Sequence, residues 1–355
     1  MTAANNSLGL LPDRKLRISR ILHRVAYVRK EYGKYFRKLC GSEAPYESLT
    51  AWFMLQFMDI SVVCGEKITH LPIRGQSCLL RYLRYAMCRS LDLMEAAYTL
   101  DLYLVSLWNG YEDYNENMET GESFDLEDKY YSKLSAMYIG TYDSFQEDVS
   151  LMWIQYDSVF GFGKGQGRGW HLSMPRKFHA LLVETVGLNC EAFASPVNVQ
   201  SAQYFSLFPQ DVVFGSIGNF FDSNLTGSVN QFIKLFPQTD KICIEVNPPF
   251  EPILIQKVLS IVDNLLHADT NKIQIIFVLI LPGWAQVSSV HVKHIFELQK
   301  GSHEYAIGWP YNTPMGQKRI IWNDTNSQIV FVSNQPVEIP VDLGQKILDA
   351  WASET

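Results

Sequence analysis

The chain has 355 residues, 47% of them hydrophobic and 19% charged, a balance that excludes disordered and collagen-like classes and leaves enough apolar material for two buried cores. The longest strongly apolar run, IQIIFVLIL at 273–281, is strand-sized, and no apolar signal region opens the chain, so a soluble intracellular protein without a membrane association is expected. The formal net charge of -7 argues against a uniformly basic nucleic-acid binder, yet the distribution of charge matters more than its sum.

From Leu11 to about Phe160 the apolar positions recur at three and four, as in Leu79, Leu80, Leu83, Met87, Leu91, Met94 and Ala97, which predicts a mainly helical half. Between Arg14 and Lys38 stand ten Lys or Arg residues and one acidic residue, Glu31; this is either a phosphate-facing surface or a solvated helix face. Arg81, Arg84 and Arg89 fall near one helical stripe and are candidates to meet phosphates of an RNA. The block from Glu112 to Asp128 holds eight acidic residues and no basic one, and reads as a solvated loop.

A glycine-alternating segment, GFGKGQGRG at 161–169, predicts a hinge, with one domain over 1–165 and a second over 166–355. Gln166 and Arg168 break any GxGxxG pattern, so a dinucleotide fingerprint is not supported. Lys164 and Arg168 are further phosphate-binding candidates there, because glycine lets backbone amides converge on an anion.

Beyond the hinge the pattern predicts a helix over Arg176 to Thr185 and strands near Asn189 to Phe193 and Val212 to Phe214. KICIEV at 241–246 then reads as a strand, Asn247-Pro248-Pro249-Phe250 as a turn, and about Pro252 to Leu266 as an amphipathic helix. Ile273 to Leu281 is another apolar strand, and RIIW with QIVFV reads as an antiparallel hairpin about Asn-Asp-Thr-Asn. Strands alternating with helices predict an α/β fold with a parallel or mixed sheet covered on both faces. The six cysteines form no CxxC pair and sit in apolar surroundings, so buried free thiols are expected, with neither a metal site nor a disulfide framework.

Asn247 to Phe250 stand at the carboxyl end of a buried strand, where open α/β sheets build their ligand crevices. The Asn247 side-chain oxygen and the Pro248 carbonyl are acceptors suited to an exocyclic amine, Pro249 adds stiffness, and Phe250 offers a ring to stack on a base. Acceptors matter because an adenine amine delocalises its lone pair into the ring and must be held in the localised form that attacks. A plain proline turn would look the same, and related loops serve guanine N2 or glutamine amides, so neighbouring segments must decide. Glu245 in the same apolar strand needs a partner, for which a cofactor ammonium or ribose is suited. Phe214-Gly215-Ser216 suits close approach to a cofactor adenine, and Trp284, just past a strand end, suits contact with the target base.

Those segments carry a resemblance. GLNCEAFASPVN at 187–198, YFSLFP at 204–209, FGS at 214–216, EVNPPF at 245–250, FVLILPGW at 277–284 and HEY at 303–305 closely resemble eukaryotic cap-specific adenosine N6-methyltransferases, over roughly the last 185 residues. These belong to the family known for binding the phosphorylated tail of RNA polymerase II. A second, looser resemblance is to phage-type DNA adenine methyltransferases, which carry Thr-Pro before a helix, an acidic residue, Ala-Ser-Pro-x-Asn, and Asn-Pro-Pro-Tyr. Here Met174-Pro175, Glu191, Ala194-Ser195-Pro196-Val197-Asn198 and Asn247 to Phe250 occupy that series. The resemblance implies that Pro175, Glu191, Ala194, Ser195, Pro196 and Asn198 line a pocket for S-adenosyl-L-methionine, with Met174 departing from the Thr.

The fold so implied is a Rossmann-like class I methyltransferase sheet preceded by a helical domain for RNA or cap recognition. The activity implied is N6-methylation of the first transcribed adenosine of capped RNA, in the nucleus, with RNA polymerase II or the capping machinery as partner. The family's WW domain is expected to be lacking, since no Trp-rich signature stands in the first 160 residues. The rival readings are a cap-RNA binding protein that has lost catalysis, and a DNA adenine or protein glutamine methyltransferase.

Overall fold

A computed structural model describes residues 14–69, 73–86, 92–111, 128–161, 171–237, 239–267, 273–307, 320–322 and 325–351. The chain divides into two compact units. The first comprises Met1–Phe57, Ser61–Phe124 and Gln146–Val159; the second comprises Met58–Ile60, Asp125–Phe145 and Phe160–Thr355. The boundary expected at 165, with the whole glycine segment beyond Gly161, lies outside the described residues, as do Lys164, Arg168, Arg89, Cys88 and the acidic block up to Glu127.

Helices α1 (Arg14–Cys40), α2 (Tyr46–Gln56), α3 (Ile60–Val63), α4 (Ile73–Tyr85), α5 (Leu93–Gly110), α6 (Asp128–Met137) and α7 (Phe145–Phe160) realise the helical half of the sequence. In the first unit, α2 is buried on nearly every side because its sequence is apolar almost throughout. Two of its buried polar groups are met within the unit: Trp52 Nε1 donates to Asp101 Oδ1 at 2.8 Å, and the Ser48 hydroxyl reaches the Pro45 carbonyl at 2.6 Å. Burial pushes the Asp101 carboxyl up to about 6 while the Trp52 bond draws it down. Asp92 caps α5, its side chain accepting from Met94 N and Glu95 N at 2.9 and 3.3 Å.

The second unit is built on β1 (Leu172–Ser173), α8 (Arg176–Val186), β2 (Cys190–Ala194), β3 (Gln203–Ser206), α9 (Ser223–Thr226), α10 (Val229–Ile233), β4 (Lys241–Val246) and α11 (Pro252–His267). It continues with β5 (Gln274–Pro282), β6 (Val292–Leu298), β7 (Glu304–Ile307), β8 (Ile320–Trp322), β9 (Ser327–Ser333) and α12 (Leu343–Trp351). A six-stranded sheet runs β3-β2-β4-β5-β9-β6, its first four strands parallel and β9 antiparallel to both neighbours. A smaller sheet runs β1-β7-β8. No described helix is long and apolar enough to cross a membrane.

Sequence explains the layering. β4 and β5 are apolar almost end to end and buried almost throughout, as central parallel strands covered on both faces must be. On α8, Phe178, Leu182 and Val186 recur every four residues and form its buried stripe, and Gly187 ends the helix at φ 71°, a left-handed conformation that glycine adopts without a Cβ penalty. Phe178 meets Trp351 of α12 at 4.4 Å between ring centroids, and burying a ring of that size contributes ~1.5–3 kcal/mol.

Two expectations are corrected. Val212 to Phe214 form no strand but the end of a 3-10 helix over Pro209–Phe214, because Pro209 opens a helical turn and Gly215 closes it at φ 87°; the strand of that region is β3. RIIW and QIVFV do not pair as a hairpin: β8 joins β7, whereas β9, buried at all seven positions, is drawn between β5 and β6. An interior slot accepts an unbroken apolar run that a two-stranded ribbon would leave half exposed. Asp125–Phe145, read with the helical half, clusters with the α/β unit.

Candidate active site

The carboxyl ends of the parallel strands form one edge of the sheet, and the segments singled out in the sequence leave from it. β4 delivers Asn247, Pro248, Pro249 and Phe250 before α11 begins at Pro252. Pro248 is buried, while Asn247, Pro249 and Phe250 are half-buried. Among the described residues no donor meets the Asn247 amide oxygen and no backbone N–H donates to the Pro248 carbonyl, so both acceptors are uncommitted. The turn is nonetheless stiff: Glu251 N donates to Pro249 O at 2.7 Å, and the Phe250 ring stands edge-on to Tyr305, 6.3 Å between centroids at 86°. Tyr305 is held in turn by Ser327 Oγ at 3.3 Å, which also meets His303 Nε2 at 3.0 Å.

The turn after β2 is cross-braced. Asn198 Oδ1 accepts from Ser195 N at 2.7 Å and from Ser195 Oγ at 3.1 Å, closing Ala194-Ser195-Pro196-Val197-Asn198 on itself. Since the Ser195 hydroxyl gives its proton to Asn198, its 2.7 Å contact with His171 Nε2 places a proton on that nitrogen. Burial holds His171 down to about 3, so it stays neutral at any ordinary pH. Ser195 and Asn198 therefore shape the turn with their side chains. Met174 is packed in the core and gives its carbonyl to Gln200 Nε2 at 2.8 Å, which brings Pro175, the residue preceding α8, against the same turn.

Glu191 and Glu245 occupy one register position on β2 and β4, and both are buried. Glu191 Oε1 accepts from Gln200 N at 2.6 Å and Ser201 N at 2.5 Å, and Lys133 lies within its electrostatic reach. Those contacts draw its pKa down, though burial outweighs them. Glu245 receives no hydrogen bond from any described residue, and burial with repulsion from Glu191 pushes it well above the usual carboxylate range. Of the two, Glu191 is the one provided with N–H donors, and Glu245 is pushed toward its protonated form by burial and by Glu191.

The other expected residues are placed as follows. The Phe214 ring is core, 5.5 Å from Tyr138, and its carbonyl accepts from Tyr204 OH at 2.9 Å; Gly215 is exposed beside it, and Ser216 Oγ pairs with Ser206 Oγ at 2.7 Å. Trp284 is 50% exposed past the end of β5, so it is not a core residue. In the first unit Arg81 is half-buried over the Tyr82 ring at 4.9 Å and Arg84 is exposed. Part of the basic stretch on α1 is internal: Arg24 is buried against Gly65 and Trp108, and Arg29 bonds the Ser158 and Val159 carbonyls over the Tyr46 ring. Burial pulls Arg29 down to about 10. Among the described residues Cys78, Cys190 and Cys243 are buried thiols and Cys40 and Cys64 half-buried ones, none of them in a disulfide.

Sequence reading missed Lys133. From α6 its Nζ donates to Val197 O at 2.8 Å and Val199 O at 2.6 Å, pinning the turn after β2, and burial lowers it to about 8 against the pull of Glu191. No local signal marks it, because its partners are backbone carbonyls more than sixty residues away.

A family model described as phosphorylated CTD interacting factor 1 WW domain matches residues 126–308, more than half of the chain. The mRNA (2'-O-methyladenosine-N(6)-)-methyltransferases of Homo sapiens and Mus musculus are each 27% identical to it over 236 residues, covering 61% of this chain and 30% of either relative. The chain thus spans less than a third of the length of these curated relatives. The family description also corrects the expectation of a missing WW domain: the model of that name falls on the residues from α6 through β7.

Proposed function

The chain belongs to the phosphorylated CTD interacting factor 1 WW domain family, and from that premise we propose that it is an RNA methyltransferase acting on N6 of an adenosine, the cap-adjacent 2'-O-methyladenosine of mRNA. The names of the human and mouse relatives support this substrate. The sheet, four parallel strands extended by an antiparallel β9 inserted beside the edge strand β6, supports a Rossmann-like class I methyltransferase unit. The observation that carries the proposal is the pair of uncommitted acceptors, Asn247 and Pro248, at the carboxyl end of β4.

The residues present fit S-adenosyl-L-methionine. Glu245, buried without a hydrogen bond, suits a cationic or hydroxyl-bearing ligand that would repay its ionisation, and Glu191 beside it adds negative potential. In this reading Pro175 and the Ala194-Ser195-Pro196-Val197-Asn198 turn would line the cofactor pocket, and Phe214 and Gly215 would meet the cofactor adenine. When bound, the cofactor supplies an already activated methyl group. Asn247 Oδ1 and the Pro248 carbonyl would accept the two N6 hydrogens and localise the nitrogen lone pair, and Phe250 would hold the base by stacking. Trp284 stacks on the substrate, and Arg81, Arg84 and Arg168 meet phosphates of the capped RNA. Work in the nucleus, with RNA polymerase II or the capping machinery as partner, goes with this reading.

The test is transfer of label from S-adenosyl-L-methionine to capped RNA beginning with 2'-O-methyladenosine, against the same RNA beginning with guanosine, a DNA adenine duplex and a glutamine peptide. Labelling of the first alone is expected. Equal labelling of the guanosine RNA removes the base choice, and cofactor binding without labelling of any substrate leaves a binding protein in place of an enzyme.

A further inference from the structure

At the far end of α11 from Asn247, three side chains converge that the methyl-transfer reading does not use. Asp263 and His267 lie one helical turn apart on α11, and His291 stands just before β6. One ligand atom from each lies within 4.8 Å of the others. The carboxylate and two imidazoles are a donor set suited to a first-row divalent ion, and residues four apart on a helix are a recurring way to present two ligands to one metal.

Three observations separate this cluster from a chance meeting of polar surface groups. His267 Nδ1 lies 3.3 Å from Asp263 Oδ2, close to the separation of about 3.4 Å that two ligands keep around one tetrahedral zinc at about 2.1 Å from each. His291 Nε2 is shielded from solvent and bonds to no described residue, so a ring nitrogen of one of the three is left unsatisfied. Ser289 ties two of the ligands together: its hydroxyl donates to Asp263 Oδ1 at 2.7 Å and accepts from His291 N at 3.2 Å, while Ser333 N fixes the His291 carbonyl at 3.0 Å. A carboxylate with one oxygen held by a serine and the other turned toward an imidazole is the arrangement by which outer partners orient a metal ligand.

We propose that Asp263, His267 and His291 form a zinc site with an open fourth position, clamping the C-terminal end of α11 to the entry of β6. Binding displaces the proton that His267 Nδ1 shares with the Asp263 carbonyl at 2.8 Å and releases it to solvent. The remaining gap closes by rotation of the His267 side chain, which is 56% exposed. The clamp lies outside the methyl-transfer site, so the proposal stands independently of the reading above.

Calorimetry of the metal-free full chain with zinc chloride tests it, alongside thermal unfolding with and without zinc. One equivalent is expected to bind and to raise Tm. His267→Ala, at an exposed position, is expected to keep the wild-type circular dichroism, to weaken zinc about 100-fold and to abolish the Tm rise; Ser289→Ala, which removes no ligand, is expected to weaken it about 10-fold. Absence of zinc binding by the wild type, or a His267→Ala protein that binds zinc as tightly, overturns the site.

Discussion

Glu191 and Glu245 stand at the same register position of β2 and β4, and only Glu191 is provided with N–H donors. Two buried carboxylates so close resist ionising together, and burial with repulsion from Glu191 pushes Glu245 toward its protonated form. The asymmetry is built into the backbone: the chain leaving β2 turns its Gln200 and Ser201 amides back onto Glu191, and no described donor does the same for Glu245.

The pair gives a pH signature. Glu245 has a folded pKa above its ordinary 4.5, so between the two the folded chain binds the extra proton and its stability falls as pH rises. The loss amounts to about 1.4 kcal/mol per pH unit while Glu245 resists ionisation. Glu245→Gln keeps the shape without the proton, and chemical denaturation from pH 5 to pH 8 should show a flatter fall than in the wild type. An identical slope in the two proteins would separate the carboxyl from this behaviour. The variant should also bind S-adenosyl-L-methionine at least about 10-fold more weakly.

Lys133 is a positioning residue. Lys133→Met removes both bonds to the turn after β2 and leaves the Val197 and Val199 carbonyls short of a donor, at about 2 kcal/mol in urea denaturation. The same variant should lose cofactor affinity by isothermal calorimetry, and Lys133→Arg should recover part of it. Full affinity in Lys133→Met would show that the turn keeps its shape unaided.

Asn247→Ala should lower the single-turnover rate about 10²–10³-fold with cofactor affinity unchanged, the effect of deleting one aimed polar group from a reaction site. A parallel drop in cofactor binding would place Asn247 in the cofactor pocket instead.

Trp284→Ala should raise the RNA KM about 10-fold, as expected for one lost stacking contact, while leaving Tm within a degree because the side chain is half exposed. A fall in Tm with an unchanged KM would make Trp284 a packing residue.

Local chemistry was legible where it is local. KICIEV became β4 with the bounds read from its apolar run, Pro175 precedes α8, and Asn247 to Phe250 leave the carboxyl end of a buried strand as their order required. Segments with two plausible partners were not. Val212 to Phe214 is apolar enough for a strand but is bounded by Pro209 and Gly215, and the turn geometry prevails. On α1, cations that solvate a helix face and cations that staple it look alike, until Arg24 is seen to bond the Gly65 carbonyl just after α3 and Arg29 the Ser158 and Val159 carbonyls of α7.

By itself the sequence determined the periodic elements, the stiff acceptor turn after β4 and the family to which the chain belongs, because each rests on residues within one turn or one strand of each other. Only the tertiary structure decided that β9 enters the sheet apart from β8, that Lys133 holds the turn after β2, and that Glu191 and Glu245 share a register while only one is satisfied. Those outcomes depend on which distant backbone donors and apolar faces remain unfilled once the core closes, and burial, which makes an unpaired charge expensive, settles them.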